Sequence, residues 1–315
     1  MLKLIATRAL LGLATLFAVS VLIFVCTQIL PGDVATAVLG QSATKETLAA
    51  FRKELGLDVP AYIRFFTWLW RALHGDLGVA LTNQRVIIDE IRPRFANTMF
   101  LAGYAALIAV PLAVGLGVVA AIREGRPIDR ISNILTLMTI SVPEFFVGYV
   151  LIAIFTVEFG LFPSLATVDA DTSFLGRIYV TTLPAVTLTL LVTAHMLRMT
   201  RTSVLSVMSS QYIEMAFLKG LTRGRVVAHH ALPNAAAPII TVVALNLAYL
   251  VVGVVVVEAV FTYPGIGQLM VDAVSKRDVP VIQACGLIFA AVFVGLNTLA
   301  DILAILVNPR LRHRR

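Results

Sequence analysis

Polar and apolar positions along this chain fall into long blocks rather than alternating. Ala9–Leu30 runs for 22 positions without a charge, Thr98–Ile122 for 25 and Ala231–Val257 for 27. Ile131–Val157 is interrupted only by Glu144, Ile178–Leu197 only by His195, and Val279–Val307 only by Asp301. A helix rises about 1.5 Å per residue and bilayer hydrocarbon is about 30 Å thick, so each block is long enough to cross. Lipid offers no hydrogen bonds to the backbone, and unbroken apolar runs lack the alternation of barrel strands. The pattern therefore predicts an all-α integral membrane protein with six transmembrane helices. The first block also has signal-like flanks, Lys3 and Arg8 before it and Ala35-Thr36-Ala37 after it. It is longer than a signal's apolar core and leads into Leu30-Pro31-Gly32-Asp33, so a retained helix is expected.

Residues 31–96 break the pattern. In "TKETLAAFRKELG", Leu48, Phe51 and Leu55 fall on one helical face, and Gly56 suits the position just past a helix end. Pro60 then opens a second helix carrying Phe65, Phe66, Leu69 and Trp70. That aromatic stripe fits the membrane interface, a docking surface or packing onto the spans. His74–Gly78 reads as a turn. The chain divides into 1–30 (N-terminus and first span), 31–96 (a helical segment outside the membrane) and 97–315 (five further spans, with a polar loop at 202–231).

Composition agrees with a membrane protein: 59% of residues are hydrophobic and 14% charged, where a soluble domain carries about 25% charged residues. Charge also orients the spans. With the N-terminus inside, the inner segments hold fourteen basic residues (Lys3, Arg8, Arg123, Arg126, Arg130, Arg198, Arg201, Lys219, Arg223, Arg225, Arg310, Arg312, Arg314, Arg315) against Glu124, Asp129 and Glu214, a net of +11. Residues 31–96 carry eight basic and seven acidic residues, a net of +1. The positive-inside rule then places both termini in the cytoplasm. The formal charge of +7 is largely this topological signature, and no nucleic-acid partner is expected from the basic tail "NPRLRHRR".

Chemistry changes the picture little. There is no G-x-x-x-x-G-K-[ST] phosphate loop, no H-E-x-x-H, no C-x-x-C and no G-x-S-x-G. Cys26 and Cys285 sit in separate spans as small apolar fillers. His229 and His230 point about 100° apart on a helix, which suits a polar surface better than a metal site. No catalytic residue, metal or cofactor is predicted, and no substrate-contacting residue is named. Five ionisable residues lie within or at the ends of spans: Glu144, Glu158, His195, Glu258 and Asp301. Such groups mark a pathway or a buried pairing. Glu158 and Glu258 lie near predicted outer ends and are expected to reach water. Pro143 should bend or break the helix before Glu144. A structural hydrogen-bonding role is preferred for Asp301.

The polar loop reads as two short helices. Gln211–Lys219 is helix-compatible, Gly220 breaks the pattern, and "LTRGRVVAHHAL" resumes it with Thr222 as a plausible cap. A short helix standing off the membrane with Met215, Phe217, Leu218 and Leu221 exposed calls for a protein partner; the plainer alternative is a loop folded onto its own spans.

This stretch resembles the EAA loop of ABC-importer permeases: Glu-Ala-Ala, three residues, Gly, nine residues, then Ile-x-Leu-Pro. Here Glu214-Met215-Ala216 is followed by Gly220 and by His230-Ala231-Leu232-Pro233 at the same spacings; Met215 and His230 depart from the pattern. The likeness spans nearly the whole chain and is greatest to the dipeptide/oligopeptide/nickel permeases. It rests on "LPGD" (Leu30–Asp33), "FRKELGLDVP" (Phe51–Pro60), "GDLG" (Gly75–Gly78), "LRMTRTSVL" (Leu197–Leu205), "YIEMAFLKGL" (Tyr212–Leu221), Val254–Gln283 and Asn297–Arg312. The resemblance implies the type I ABC importer permease fold, in the inner membrane. It implies a heterodimer with a homologous second permease, two cytoplasmic ATPase subunits, an extracytoplasmic solute-binding protein, and a peptide or similar small cargo. It further implies that Tyr212, Glu214, Ala216, Lys219, Gly220 and Leu221 couple the permease to an ATPase. Nickel or another small solute stays open as cargo. So does a self-contained secondary transporter or channel, although no internal repeat is visible.

Overall fold

The computed structural model describes residues 2–29, 44, 59–169 and 171–307. Among these the regular secondary structure is helical, joined by turns and loops, with one isolated antiparallel bridge between Val79 and Val86. The elements are α1 (Leu2–Ile29), α2 (Ala61–Leu73), α3 (Ile87–Ile122), α4 (Pro127–Ile140), α5 (Glu144–Leu151), α6 (Phe174–Met208), α7 (Gln211–Leu218), α8 (Arg223–Val226), α9 (Leu232–Val260), α10 (Ile266–Lys276) and α11 (Val279–Val307). A π-helical turn, Ile152–Glu158, continues α5, and another, Val227–Ala231, joins α8 to α9. The predicted amphipathic helix ending at Gly56, the "LPGD" segment and the basic tail lie outside the described residues.

Five helices are long and apolar enough to cross a membrane, and the stretch expected as a single third span is instead a bent pair. Pro143 lacks the N–H that would continue α4, so α4 and the α5 segment meet at 101°. Fixed contacts show where the pair begins and ends. Near the start of α4, Asp129 pairs with Arg201 in the late part of α6. Beyond the π turn, the Tyr179 hydroxyl, early in α6, donates to the Leu161 carbonyl (2.9 Å), and the Ala166 amide donates to Phe261 (2.8 Å). The bent pair thus enters at one end of the bundle and leaves at the other, and is the sixth crossing.

Two ends follow. The loop end carries α7, α8, the end of α3 and the start of α4; the cap end carries α2, α10 and residues 161–169 and 171–173. Arg8 pairs with Asp301 (3.1 Å), and the Gln283 amide donates to Thr27 (2.8 Å), so α1 and α11 run antiparallel and both open onto the loop end. Asp301 is therefore held by an ion pair. Glu158 and His195 are exposed. Phe65 of α2 packs edge-on against Phe17 and Phe24 of α1, at 5.9 and 5.4 Å between ring centroids, so part of the aromatic stripe packs inward, while Phe66 and Trp70 stay exposed.

The helices run past the apolar blocks. α3 starts at Ile87 rather than near Thr98, with Asp89 and Glu90 in its first turn, where acids complement the helix dipole. α6 continues to Met208, and Arg223–Val260 is helical throughout, which shortens the connection between these spans to Ser209–Thr222. The core is built on α3 against α6. Leu101, Ala105, Ala109, Ala113 and Gly117 line one face of α3 at four-residue steps. Small residues let the backbones approach, as in membrane bundles generally, and the Thr189 hydroxyl of α6 reaches the Ala105 carbonyl at 3.4 Å. α9 closes the other side of α6 and packs on α11.

Glu258 departs from expectation. It does not reach water but is completely buried. Its Oε1 accepts from the Thr98 hydroxyl (2.6 Å) and its Oε2 from the Gln268 amide (3.1 Å), while Thr98 in turn accepts from the Ile266 amide (2.9 Å). The chain folds back after α9, so the orphan amides at the start of α10 close over the carboxylate. Gly267 permits this approach: a Cβ there would lie 2.6 Å from the Val255 Cα.

At the loop end, Asp129 is 4% exposed and accepts both Arg201 Nε (2.6 Å) and a terminal guanidinium N–H (2.9 Å), with the Gly125 amide and Asn133 as further donors. Removing one partner of a buried, fully bonded pair costs about 3–5 kcal/mol. Asp129→Ala should therefore lower the thermal midpoint of the detergent-solubilised protein sharply. Asp129→Ala/Arg201→Met should recover much of the loss, and a double variant no more stable than Asp129→Ala would contradict the pairing.

Candidate functional site

α7 stands on a small core of its own. Ile213 is fully buried and Ala216 nearly so, three residues apart on one face, and they pack with Val226 and Ala231 from the returning helix. Val207 and Met208 at the end of α6 and Leu221 complete the cluster. The opposite face is turned outward: Tyr212 is 41% exposed, Met215 52% and Leu218 75%. Phe217, Glu214 and Lys219 are exposed as well.

The helix ends in a double hydrogen bond. The Gly220 amide donates to the Phe217 carbonyl (2.9 Å) and the Leu221 amide to the Ala216 carbonyl (3.3 Å), with Gly220 at φ +79°. This is the glycine-dependent Schellman stop, in which the residue after the glycine folds back onto the helix. It also fixes how two of the predicted coupling residues are placed. Leu221 is only partly exposed because it packs back on Ile213 and Ala216, and Ala216 itself faces inward. These two shape the helix, and Tyr212, Met215, Leu218 and Lys219 present its surface. Glu214 has no hydrogen bond or ion pair among the described residues, so it tethers nothing within them.

Thr222 precedes α8 but makes no side-chain cap; instead the Arg223 guanidinium donates to the Ile122 carbonyl at the end of α3. α7 is thereby tied to three spans: to α6 through Ser209-Ser210, to α9 through the π turn, and to α3 through Arg223. His229 is exposed and His230 partly so, with the Asn234 side-chain amide donating to the His230 carbonyl (2.7 Å). Ile213 and Arg223 were not singled out from sequence. Neither the inward face formed by Ile213 and Ala216 nor the reach of Arg223 to α3 was readable from the sequence, since Tyr212, Met215 and Leu218 share the same three-residue spacing.

An apolar strip on a short helix that projects beyond the spans is what a protein partner covers. It is compact: three side chains along 8 residues, rimmed by Glu214 and Lys219.

The chain matches two family models. "Binding-protein-dependent transport system inner membrane component" covers residues 113–313, and the N-terminal model of the same transport-system membrane components covers residues 1–102. Among curated proteins it is similar to the glutathione transport system permease protein GsiC of Escherichia coli O6:H1, at 40% identity over 308 residues and 98% of both chains. The permeases of that name from Escherichia coli K12 and Shigella dysenteriae serotype 1 are each 39% identical over the same share.

A side chain at Gly220 would meet no neighbour, so backbone conformation alone selects glycine there. A left-handed non-glycine residue costs about 1–2 kcal/mol, or roughly 5–30-fold in a local equilibrium. Gly220→Val should speed hydrogen exchange of the Leu221 amide by at least that factor while the global thermal midpoint stays put, and Gly220→Asn should do so less. Unchanged exchange in the valine variant would contradict the motif.

Proposed function

Since the chain belongs to the family of binding-protein-dependent transport system inner membrane components, and is thus a permease component of an ABC importer rather than an enzyme, we propose that its cargo is a small peptide of the glutathione kind. The observation that carries this reading is the end-to-end match to permeases named for glutathione transport, through the N-terminal segment as well as the core. In this reading the chain pairs with a homologous second permease. A solute-binding protein delivers the cargo at the cap end, and two ATPases act at the loop end.

The loop end faces the cytoplasm in this reading, by the +11 charge of its segments. α7 is the coupling helix. Its outward strip of Tyr212, Met215 and Leu218 seats in an ATPase groove, and Lys219 and Glu214 meet charges at the groove's rim. ATP-driven closure of the two ATPases then moves α7, and the transmembrane dimer switches between two states.

Three measurements test this. Purified binding protein of the same system should show a thermal shift with glutathione; a response to nickel alone would redirect the cargo assignment. Cysteine at Asp169 should react with an impermeant thiol reagent from outside intact cells and cysteine at Thr222 should not; the reverse would invert the orientation. A buried leucine contributes about 1.5–3 kcal/mol, or about ten- to a hundredfold in affinity. Leu218→Glu should therefore loosen ATPase association by at least tenfold while leaving membrane insertion intact, with Glu214→Ala weaker in the same direction. Full ATPase retention and wild-type uptake in Leu218→Glu would remove α7 from the coupling role.

A further inference from the structure

Apart from Asp89, Glu90 and Glu158 at helix ends, four carboxylates lie within the crossing helices, and three of these four are neutralised by a partner or by hydrogen bonds. Asp129 has Arg201, Asp301 has Arg8, and Glu258 has Thr98 and the Gln268 amide. Glu144 is the exception: it has no hydrogen bond or ion pair among the described residues. It also lies inward of the cap end of α9. It faces α9 beside Gly253, where an added Cβ would lie 3.9 and 4.0 Å from its two carboxylate oxygens. Gly253 is five residues before Glu258 in α9, or about 7.5 Å further into the bundle at helical rise. The missing side chain at Gly253 leaves that flank of the carboxylate clear.

A second observation is independent of the charge. Glu144 begins α5 directly after the break at Ser141–Pro143, where the helix turns by 101°. Ser141 and Pro143 at that break are exposed, and Glu144 itself is only half-buried. Non-helical backbone at membrane depth persists only where protein covers it or where it lines a water-filled cavity, and an ionised side chain obeys the same limit. In secondary transporters, broken helices are where solute contacts are placed, and the same backbone logic applies to this break. An unpaired carboxylate on a broken crossing, open on the side of a glycine, is suited to a cation that arrives and leaves.

Building on the peptide reading above, we infer that Glu144 lines the water-filled path through the importer and supplies the anionic contact for the ammonium group of the cargo. Glutathione carries one such group, and blocking it with an acetyl group removes the charge without changing the rest of the molecule. The contact confers specificity; it takes no part in ATP hydrolysis.

The test uses the complete importer with its partner subunits and binding protein in proteoliposomes. Glu144→Gln should cut uptake of reduced glutathione at least tenfold, and Glu144→Asp should restore at least a third of the wild-type rate. Subunit stoichiometry and ATP hydrolysis stimulated by the binding protein should stay within twofold, and uptake of N-acetylglutathione should be no slower than in the wild type. Separately, Glu144→Cys in a Cys26→Ala background should react with a trimethylammonium methanethiosulfonate in either the nucleotide-free or the ATP-trapped state. Wild-type glutathione uptake in Glu144→Gln, an equal loss for both peptides, or a loss of assembly that Glu144→Asp does not restore would overturn the ammonium contact. The last of these would mark a partner-subunit contact instead. A cysteine unreactive in both states would overturn the path. If the wild type imports neither peptide, the cargo reading fails and the ammonium contact with it, while the thiol reaction still decides whether position 144 faces water.

Discussion

Hydrocarbon accepts and donates no hydrogen bonds, and nearly everything in this fold follows from that. Backbone groups must be satisfied within each segment, hence helices. Side chains with charge or polarity must find one another, and the places where they do are the joints of the bundle. Asp129 and Arg201 lock α4 to α6 at the loop end. Arg8 and Asp301 hold α1 against α11. Glu258 is held by a hydroxyl of α3 and an amide of α10, and so binds three helices at the cap end. Apolar packing supplies the bulk of contact, but lipid tails are as apolar as leucine, so it has no hydrophobic drive between helices and relies on close fit. The polar joints set the register.

Much of this was legible in the sequence. The six apolar blocks found the crossings, and Pro143 announced the break in the third. Gly220 announced the left-handed turn, because no side chain competes for that conformation. What stayed hidden has two causes. The helices outrun the blocks since backbone hydrogen bonding does not stop where hydrocarbon does; Asp89 and Glu90 suit the start of α3 yet read as loop in an apolar count. The fate of Glu258 depended on chain reversal ten residues later. Its position near a span end suggested water, but the fold puts α10 over it, and no periodicity encodes which orphan amides a carboxylate will meet.

The same split runs through the candidate site. The outward strip on α7 followed from an eight-residue helix with apolar residues on more than one face. Which face was outward did not. Ile213 and Ala216 could equally have been the exposed pair until the end of α6 and the returning helix closed over them. Leu221 looked like part of the strip and is instead the residue that fastens the turn.

α6 carries a mechanical consequence. Its 35 residues form one helix from Phe174 to Met208, with a single internal proline, Pro184, in the half away from α7; it is about 52 Å long at helical rise, and α7 hangs from its tip through the two residues Ser209 and Ser210. On the return side, α7 reaches α9 through a π-helical turn, with Pro233 and Pro238 within the first two turns of α9. One attachment is stiff and the other compliant. A push on α7 is therefore delivered to the two spans unequally: α6 passes it on as displacement of the proline-free stretch from Met208 back to Pro184, while α9 takes up part of it as bending near its base. The subunit behaves as a lever with a single firm arm, and the direction of that arm, rather than the size of the push, sets which part of the bundle moves.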